Sequence, residues 1–265
     1  SMIGISQLGG STAFSGKIGR DEHGNLYRNK LESLGVTDCL AEGEGTTGSS
    51  LILVSEDGAR TMNTFLGMSQ ELVNQDIDTS VIQSSKYLYL TGYLWDTESQ
   101  KKAVLNALDE AKKYDINVAL SLSDPFCVTR HKEDFINLLK GYANMVFCNQ
   151  EEAFTLVETE ITQKAVEIMS DWTETVALTL GANGALISHQ GETFYIDPFP
   201  VRVEDTTGAG DAFAAGFLYG MTHDMNPLNS GRIGAAMAAG VIGQTGPRYL
   251  GNAQKLIKEK LGIIL

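Results

Sequence analysis

Short apolar runs alternate with helix-like segments through the middle of the chain. Four such runs lie at residues 87–90, 118–122, 145–148 and 176–180, and the segments between them carry apolar residues at helical spacing. Strands that are apolar throughout and separated by helices are typical of a parallel sheet covered on both faces. The pattern predicts an α/β fold with a mostly parallel central sheet.

The first part of the chain predicts a helix end, a strand and a second helix. Residues 3–8 read as the last turns of a helix that closes at the two glycines that follow. Residues 16–24 predict a strand exit and a polar turn. Residues 25–35 predict a helix with Leu26 among its inward-facing leucines.

Residues 46–67 predict a β-hairpin that projects from the sheet. Two runs of apolar and β-branched residues, 49–54 and 60–65, flank an Asp57-Gly58 turn. An edge with alternating apolar faces needs cover, because unpaired strand edges invite pairing. A bound substrate and the same hairpin of a second subunit would each supply that cover, so we expect a lid here.

Residues 203–213 combine a polar turn with the start of an apolar helical pattern. Gly208 and Gly210 allow a ligand to approach the backbone, and the first amides of the helix point back at the turn. This arrangement predicts an anion site, where Asp211 would accept a proton beside a bound phosphate. A capped helix is the alternative, but two acidic residues, two threonines and two glycines within seven positions exceed what a cap requires.

Two further strand ends lead into candidate ligand-binding loops. The carboxylates of residues 149–152 would hold a hydrated Mg²⁺, or Asn149 would simply cap the next helix. The glycines of residues 179–184 would pass close to a nucleotide, or form a plain β-turn. Ligands of such sheets bind beyond the carboxyl ends of the strands, so we expect these loops at one edge with the turn at 203–213.

Composition favours a small ligand over a macromolecular polyanion. The chain of 265 residues has 20 Lys and Arg against 33 Asp and Glu, a formal charge of −13, and no basic cluster. This balance argues against binding to nucleic acid or to an anionic membrane. Three scattered cysteines, Cys39, Cys127 and Cys148, indicate a reducing compartment. No apolar run approaches the roughly 20 residues of a membrane span, so we expect a cytoplasmic protein.

Two common classes of enzyme site do not fit the sequence. The Gly-x4-Gly-Lys-Ser/Thr pattern of P-loop enzymes does not occur in it. The histidines, His23, His131, His189 and His223, are far apart and suggest neither a metal centre nor a Ser-His-Asp triad.

Residues 205–211, Asp-Thr-Thr-Gly-Ala-Gly-Asp, resemble the second signature of the PfkB, or ribokinase-like, carbohydrate and nucleoside kinases. Segments 16–24, 149–152 and 179–184 fall in the order of that family, and residues 60–67 resemble a bacterial subgroup of adenosine and sugar kinases. The resemblance implies a three-layer ribokinase-like sandwich with a small β lid. It also implies ATP-dependent transfer of the γ-phosphate to a hydroxymethyl group of a sugar or nucleoside.

The resemblance implies a role for each matching residue. Asp211 would be the base that takes the hydroxyl proton, and the amides of Gly208, Ala209 and Gly210 would hold the transferred phosphoryl group. The residues expected to bind ATP and Mg²⁺, the latter through water at Glu152, are Asn149, Glu152, Thr179, Gly181, Gly184 and Thr206.

Further expectations concern a monovalent cation and the lid. Asp205, Thr207 and the loop at Gly246 would hold K⁺. Arg60 and Asn63 would lie on the substrate side of the lid, where Arg60 would reach the reacting phosphates or remain a solvated strand-end arginine. Ribokinase-like relatives form dimers through the lid and adenosine-kinase-like relatives are often monomers, so a homodimer and a monomer are both open.

The first signature of the family is not matched. It has a Gly-Gly pair followed four residues later by an asparagine that grips the substrate, whereas the chain has Phe14 four residues after Gly10. We therefore expect the first strand and its substrate aspartate to be missing from this sequence. Residues 1–45 and 68–265 would form the nucleotide-binding core. A catalytically impaired nucleotide-binding protein of the same fold is the alternative.

Overall fold

The structure, a computed structural model, describes residues 1–54 and 60–265. In chain order its strands are β1 (Thr12–Gly19), β2 (Val36–Gly43), β3 (Ser49–Val54), β4 (Arg60–Phe65), β5 (Tyr87–Thr91), β6 (Asn117–Ser121), β7 (Met145–Asn149), β8 (Thr175–Thr179), β9 (Ala185–His189) and β10 (Glu192–Ile196). Its α-helices are α1 (Met2–Leu8), α2 (Glu22–Ser33), α3 (Thr79–Gln83), α4 (Glu98–Lys113), α5 (Pro125–Gly141), α6 (Gln150–Val157), α7 (Thr162–Ser170), α8 (Ala209–Thr222), α9 (Pro227–Ile242) and α10 (Ala253–Leu261).

The main sheet is mostly parallel, as the sequence predicts. Within the described residues its strand order is β10-β9-β8-β7-β6-β5. Strands β5 to β8 are parallel, and β9 and β10 add an antiparallel hairpin. The carboxyl ends of β5 to β8 therefore lie along one edge.

Helices cover both faces of this sheet and form a three-layer sandwich. On one face, α4 to α7 pack around side chains such as Leu120 and Val146. On the other, α1, α8, α9 and α10 pack around Phe147 and Ile187. The alternation of these side chains along buried strands is the reason that the strands are apolar throughout.

Strands β1 and β2 form a separate parallel pair joined by α2. The apolar pattern does not predict β2, because Asp38 and Glu42 interrupt it. Both carboxylates form ion pairs with Arg28 of α2. The prediction that Leu26 faces the core is wrong, because α2 begins at Glu22 and leaves Leu26 66% exposed.

Strands β3 and β4 form the predicted antiparallel hairpin, in which Ser49 pairs with Phe65. The predicted Asp57-Gly58 turn lies outside the described residues. At the base of the hairpin, the Asp21 carboxylate accepts hydrogen bonds from the amide and hydroxyl of Thr47, at 2.8 and 2.6 Å. These bonds lower the pKa of Asp21 to about 2. The hairpin is thus tied to the turn that follows β1.

Two other observations concern the lengths of the described helices and the state of the cysteines. Within the described ranges, no helix combines the length and the apolar character needed to cross a membrane. The thiols of Cys39, Cys127 and Cys148 are free, and the last two are buried.

Candidate functional site

The loop at residues 203–211 is held together by the side chain of Asp205. One carboxylate oxygen accepts hydrogen bonds from the amide and hydroxyl of Thr207, at 2.8 and 2.6 Å. The other accepts a bond from the Gly246 amide at 3.0 Å. The three residues expected at a monovalent cation site are therefore close together, although Gly246 is far from the other two in the sequence. Thr206 is exposed, and its carbonyl accepts a bond from the Ala209 amide.

The two glycines of the turn, Gly208 and Gly210, have different surroundings in the structure. Gly208 precedes α8 with φ of 80°, and a Cβ there would lie 2.4 Å from the carbonyl oxygen of Pro247. A Cβ on Gly210 would contact nothing within 4 Å in the described part of the chain, apart from its neighbours and its own helix. Backbone conformation and packing thus require Gly208, whereas Gly210 borders open space.

Asp211 lies in the first turn of α8 with its side chain 59% exposed. Its Oδ1 accepts a hydrogen bond from the Ser1 hydroxyl at 2.6 Å. An aspartate carboxylate is ordinarily ionised at neutral pH and can then accept a proton.

Tyr89 of β5 lies close enough to Asp211 and Glu152 to interact with their charges. Burial, with smaller contributions from Asp211 and Glu152, raises the pKa of Tyr89 to about 12. Its hydroxyl therefore stays protonated and can donate a hydrogen bond. Sequence reasoning missed this residue because Tyr89 lies within an apolar run and reads as core.

Asn149 and Glu152 form a reciprocal cap at the start of α6. The Asn149 side chain accepts a bond from the Glu152 amide, and the Glu152 carboxylate accepts bonds from the amide and side chain of Asn149, at 3.0 and 2.7 Å. The capping interpretation is confirmed, and a magnesium role stays a prediction. Burial and the nearby Asp124 carboxylate raise the pKa of Glu152 to about 7.

Asp124, shortly after β6, is a second acidic residue beside Glu152 that sequence reasoning missed. Its carboxylate caps α5 by accepting a bond from the Cys127 amide at 2.7 Å. Burial and the Asp124 charge raise the pKa of the neighbouring Tyr93. An acidic residue just beyond an apolar strand is the signal that would have found Asp124.

Thr179 ends β8 in register with Asn149 on the adjacent strand. The loop that follows turns back tightly, since the Leu180 amide donates to the Gly184 carbonyl at 2.8 Å. Gly184 packs against β10, where a Cβ would lie 2.0 Å from the Ile196 carbonyl oxygen, whereas a Cβ on Gly181 would meet nothing within 4 Å in the described residues. The loop therefore forms a tight turn, and the open space beside Gly181 leaves room for a ligand.

The predicted lid residues lie on β4. Asn63 pairs with Leu51 and is exposed. The Arg60 backbone pairs with Val54, but its side chain lies outside the described structure.

Mg²⁺ prefers oxygen ligands, and in phosphate-binding sites it usually combines one or two carboxylates with substrate phosphates and several waters. Both oxygens of Glu152 already accept bonds from Asn149, so contact through a water fits this carboxylate better than direct coordination. Among residues 1–54 and 60–265, no group of three or more His, Cys, Asp or Glu side chains is arranged to hold a metal ion.

A comparison with protein families decides the class of protein. The model of the pfkB family of carbohydrate kinases matches residues 1–254. The chain belongs to this family. An uncharacterized sugar kinase of Archaeoglobus fulgidus is 30% identical over 251 residues, which cover 93% of this chain and 97% of that protein.

Solved structures of other kinases share the fold. The adenosine kinase from Sinorhizobium meliloti superposes with a TM-score of 0.93 and 35% identity, over 97% of this chain and 80% of that chain. A putative ribokinase II from E. coli, in complex with ATP and Mg²⁺, superposes with a TM-score of 0.88 over 96% of this chain and 84% of that chain. At 17% identity the second likeness shows the fold alone. The expected ribokinase-like three-layer sandwich is confirmed.

Proposed function

We propose that this pfkB-family chain transfers the γ-phosphoryl group of ATP to a hydroxymethyl group of a sugar or nucleoside. The observation that carries the proposal is the position of Asp211. Its carboxylate is exposed, and it directly follows Gly210, at which a Cβ would border open space. A base placed next to helix amides suits a reaction in which a hydroxyl loses its proton while negative charge is stabilised. The sugar kinase and the adenosine kinase described above support both classes of acceptor.

In this proposal each group has one task. Asp211 accepts the acceptor's hydroxyl proton, and the amides of Gly208, Ala209 and Gly210 stabilise the charge on the transferred phosphoryl group. Mg²⁺, held through water at Glu152, would neutralise charge on the phosphates when bound. The remaining nucleotide-binding residues are Asn149, Thr179, Gly181, Gly184 and Thr206. K⁺ between Asp205, Thr207 and Gly246 would stabilise the turn.

The hairpin is proposed as a lid over the acceptor. Leu51, Leu53 and Phe65 share one face of it and are 58–64% exposed, while Ile52 and Met62 lie on the other face. A two-stranded hairpin with apolar residues on both faces is marginally stable in water by itself. A bound acceptor would cover one face and a second copy of the chain the other, which is the basis for a homodimer through the lid.

A radiometric assay of γ-phosphate transfer to adenosine, ribose and a panel of sugars tests the proposal. Asp211→Asn should lower turnover by about 10²- to 10⁴-fold because the general base is lost, with ATP affinity nearly unchanged. Asp224→Asn is the matched control, since Asp224 lies just beyond the other end of α8 with its side chain 90% exposed. Equal activity of Asp211→Asn and wild type would refute the assignment. ATP binding without transfer to any acceptor would favour the impaired nucleotide-binding alternative.

A further inference from the structure

The loop at residues 246–248 is built into the wall of the proposed active site. The Gly246 amide binds Asp205, and Pro247 packs directly against Gly208. The backbone of the next residue, Arg248, therefore starts beside the turn that carries the proposed phosphoryl site. This contact is not visible in the sequence, because Gly208 and Pro247 are 39 positions apart.

Side chains from two parts of the chain hold the same loop in place. The carbonyl of Arg248 accepts a hydrogen bond from the side chain of Gln244, whose oxygen accepts the Leu250 amide at 3.1 Å. From α1, the Gln7 side chain donates to the Tyr249 carbonyl at 2.8 Å. A loop tied at several backbone groups presents its side chains in a restricted set of positions.

Arg248 and Asp211 line the same cavity, which has a volume of about 60 Å³. Ile3, Gly4 and Met237 supply apolar walls. In the described part of the chain, Arg248 is exposed and forms no ion pair with a carboxylate. The chain has 33 acidic and 20 basic residues, so acidic partners are abundant. Even so, the Arg248 guanidinium has no carboxylate partner among the described residues.

We propose that the Arg248 guanidinium binds an anionic oxygen at the reacting centre, which makes Arg248 a further catalytic residue. This inference rests on the proposed kinase function. The oxygen belongs either to the transferred phosphoryl group or to a carboxylate on the acceptor. Arginine suits both, because its planar fork of N–H donors matches carboxylate and phosphate oxygens.

The chemical step leaves Arg248 unchanged. The acceptor oxygen forms a bond to the γ-phosphorus while the bond from that phosphorus to the bridging oxygen of ADP breaks. The electron pair of the broken bond leaves with ADP, and the proton of the acceptor hydroxyl passes to Asp211. Arg248 contributes positive charge and hydrogen bonds.

The test compares Arg248→Gln and Arg248→Lys with the wild type. Arg202→Gln is the matched control, because Arg202 lies just before the turn but is 91% exposed and pairs with Glu204. We expect Arg248→Gln to lower kcat/KM by roughly 10- to 100-fold, the usual effect of losing hydrogen bonds to a charged group. Arg248→Lys should restore part of the loss, and the affinity for ATP should change little in both variants.

The choice of acceptor distinguishes the two sources of the anionic oxygen. Ribose and adenosine are neutral acceptors, whereas gluconate carries a carboxylate. If the oxygen belongs to the phosphoryl group, Arg248→Gln lowers kcat with all three acceptors. If it belongs to the acceptor, only the KM for gluconate rises. Unchanged kinetics with all of them, or an equal effect of Arg202→Gln, would overturn the proposal.

A binding measurement separates failure of this inference from failure of the proposed function. Calorimetric titration of inorganic phosphate, and of gluconate, into the protein with ADP does not require turnover. Weaker binding of one of them to Arg248→Gln than to wild type supports the role even if no acceptor is phosphorylated. Equal affinity of both proteins for both anions, in a protein without transfer activity, overturns it.

Discussion

Gly210→Ala should raise stability and lower activity at the same time. Gly210 is in the first turn of α8, and a Cβ there meets nothing within 4 Å in the described structure outside its own helix and neighbours. Alanine in a helix is favoured over glycine by up to about 1 kcal/mol. For a chain of this size, that gain corresponds to a melting temperature higher by about 2–4 °C.

The expected loss of activity follows from the space that the new methyl group would occupy. If the transferred phosphoryl group binds above Gly210, the methyl group pushes it away from the amides of the turn. A displacement of about 1 Å can cost roughly 10²-fold in rate, equivalent to about 2.7 kcal/mol of transition-state stabilisation. Stability and activity should therefore change in opposite directions at this position.

Gly208→Ala is the companion variant, because it places the same methyl group two residues earlier. Its φ of 80° and the contact with Pro247 are unfavourable for alanine, so stability should fall by roughly 1–3 kcal/mol. Differential scanning calorimetry and the phosphate-transfer assay would be run on both variants. A Gly210→Ala protein with near-normal kcat/KM would show that the open space is not the phosphoryl site.

Three further predictions concern magnesium, pH and the lid. Glu152→Gln should raise the Mg²⁺ concentration needed for half-maximal rate, and an unchanged titration would leave Glu152 as a helix cap only. In the metal-free protein, the pKa of Glu152 is raised from 4.5 to about 7, so the folded state binds the proton more tightly and the free energy of unfolding should fall as pH rises through this window. The Glu152→Gln variant should lack that slope in denaturant titrations. Replacing residues 49–65 by a short glycine linker should abolish acceptor phosphorylation but spare ATP binding; an unfolded protein, or unchanged acceptor kinetics, would contradict the lid proposal.

The central sheet was predictable because its strands are buried on both faces. Continuous apolar runs such as those in β6 to β8 are typical of buried parallel strands when helical segments separate them. Strand β2 was not predictable by the same rule. Its carboxylates are paired with Arg28 of α2, and that compensation is a tertiary contact. A polar interruption in a sequence cannot show whether a partner lies across the adjacent helix.

The acidic residues of the site were partly predictable because Asp211 and Glu152 lie in the first turns of helices, the first after a polar turn and the second after a strand end. Arg248 was not, because its importance comes from a loop that touches the turn only after folding. The two glycines show the limit most clearly. Gly208 and Gly210 look equivalent in the motif, yet Pro247 and a positive φ require the first, while the Cβ position of the second borders open space. Sequence alone predicts a glycine-containing anion site, and tertiary packing determines which of its glycines borders open space.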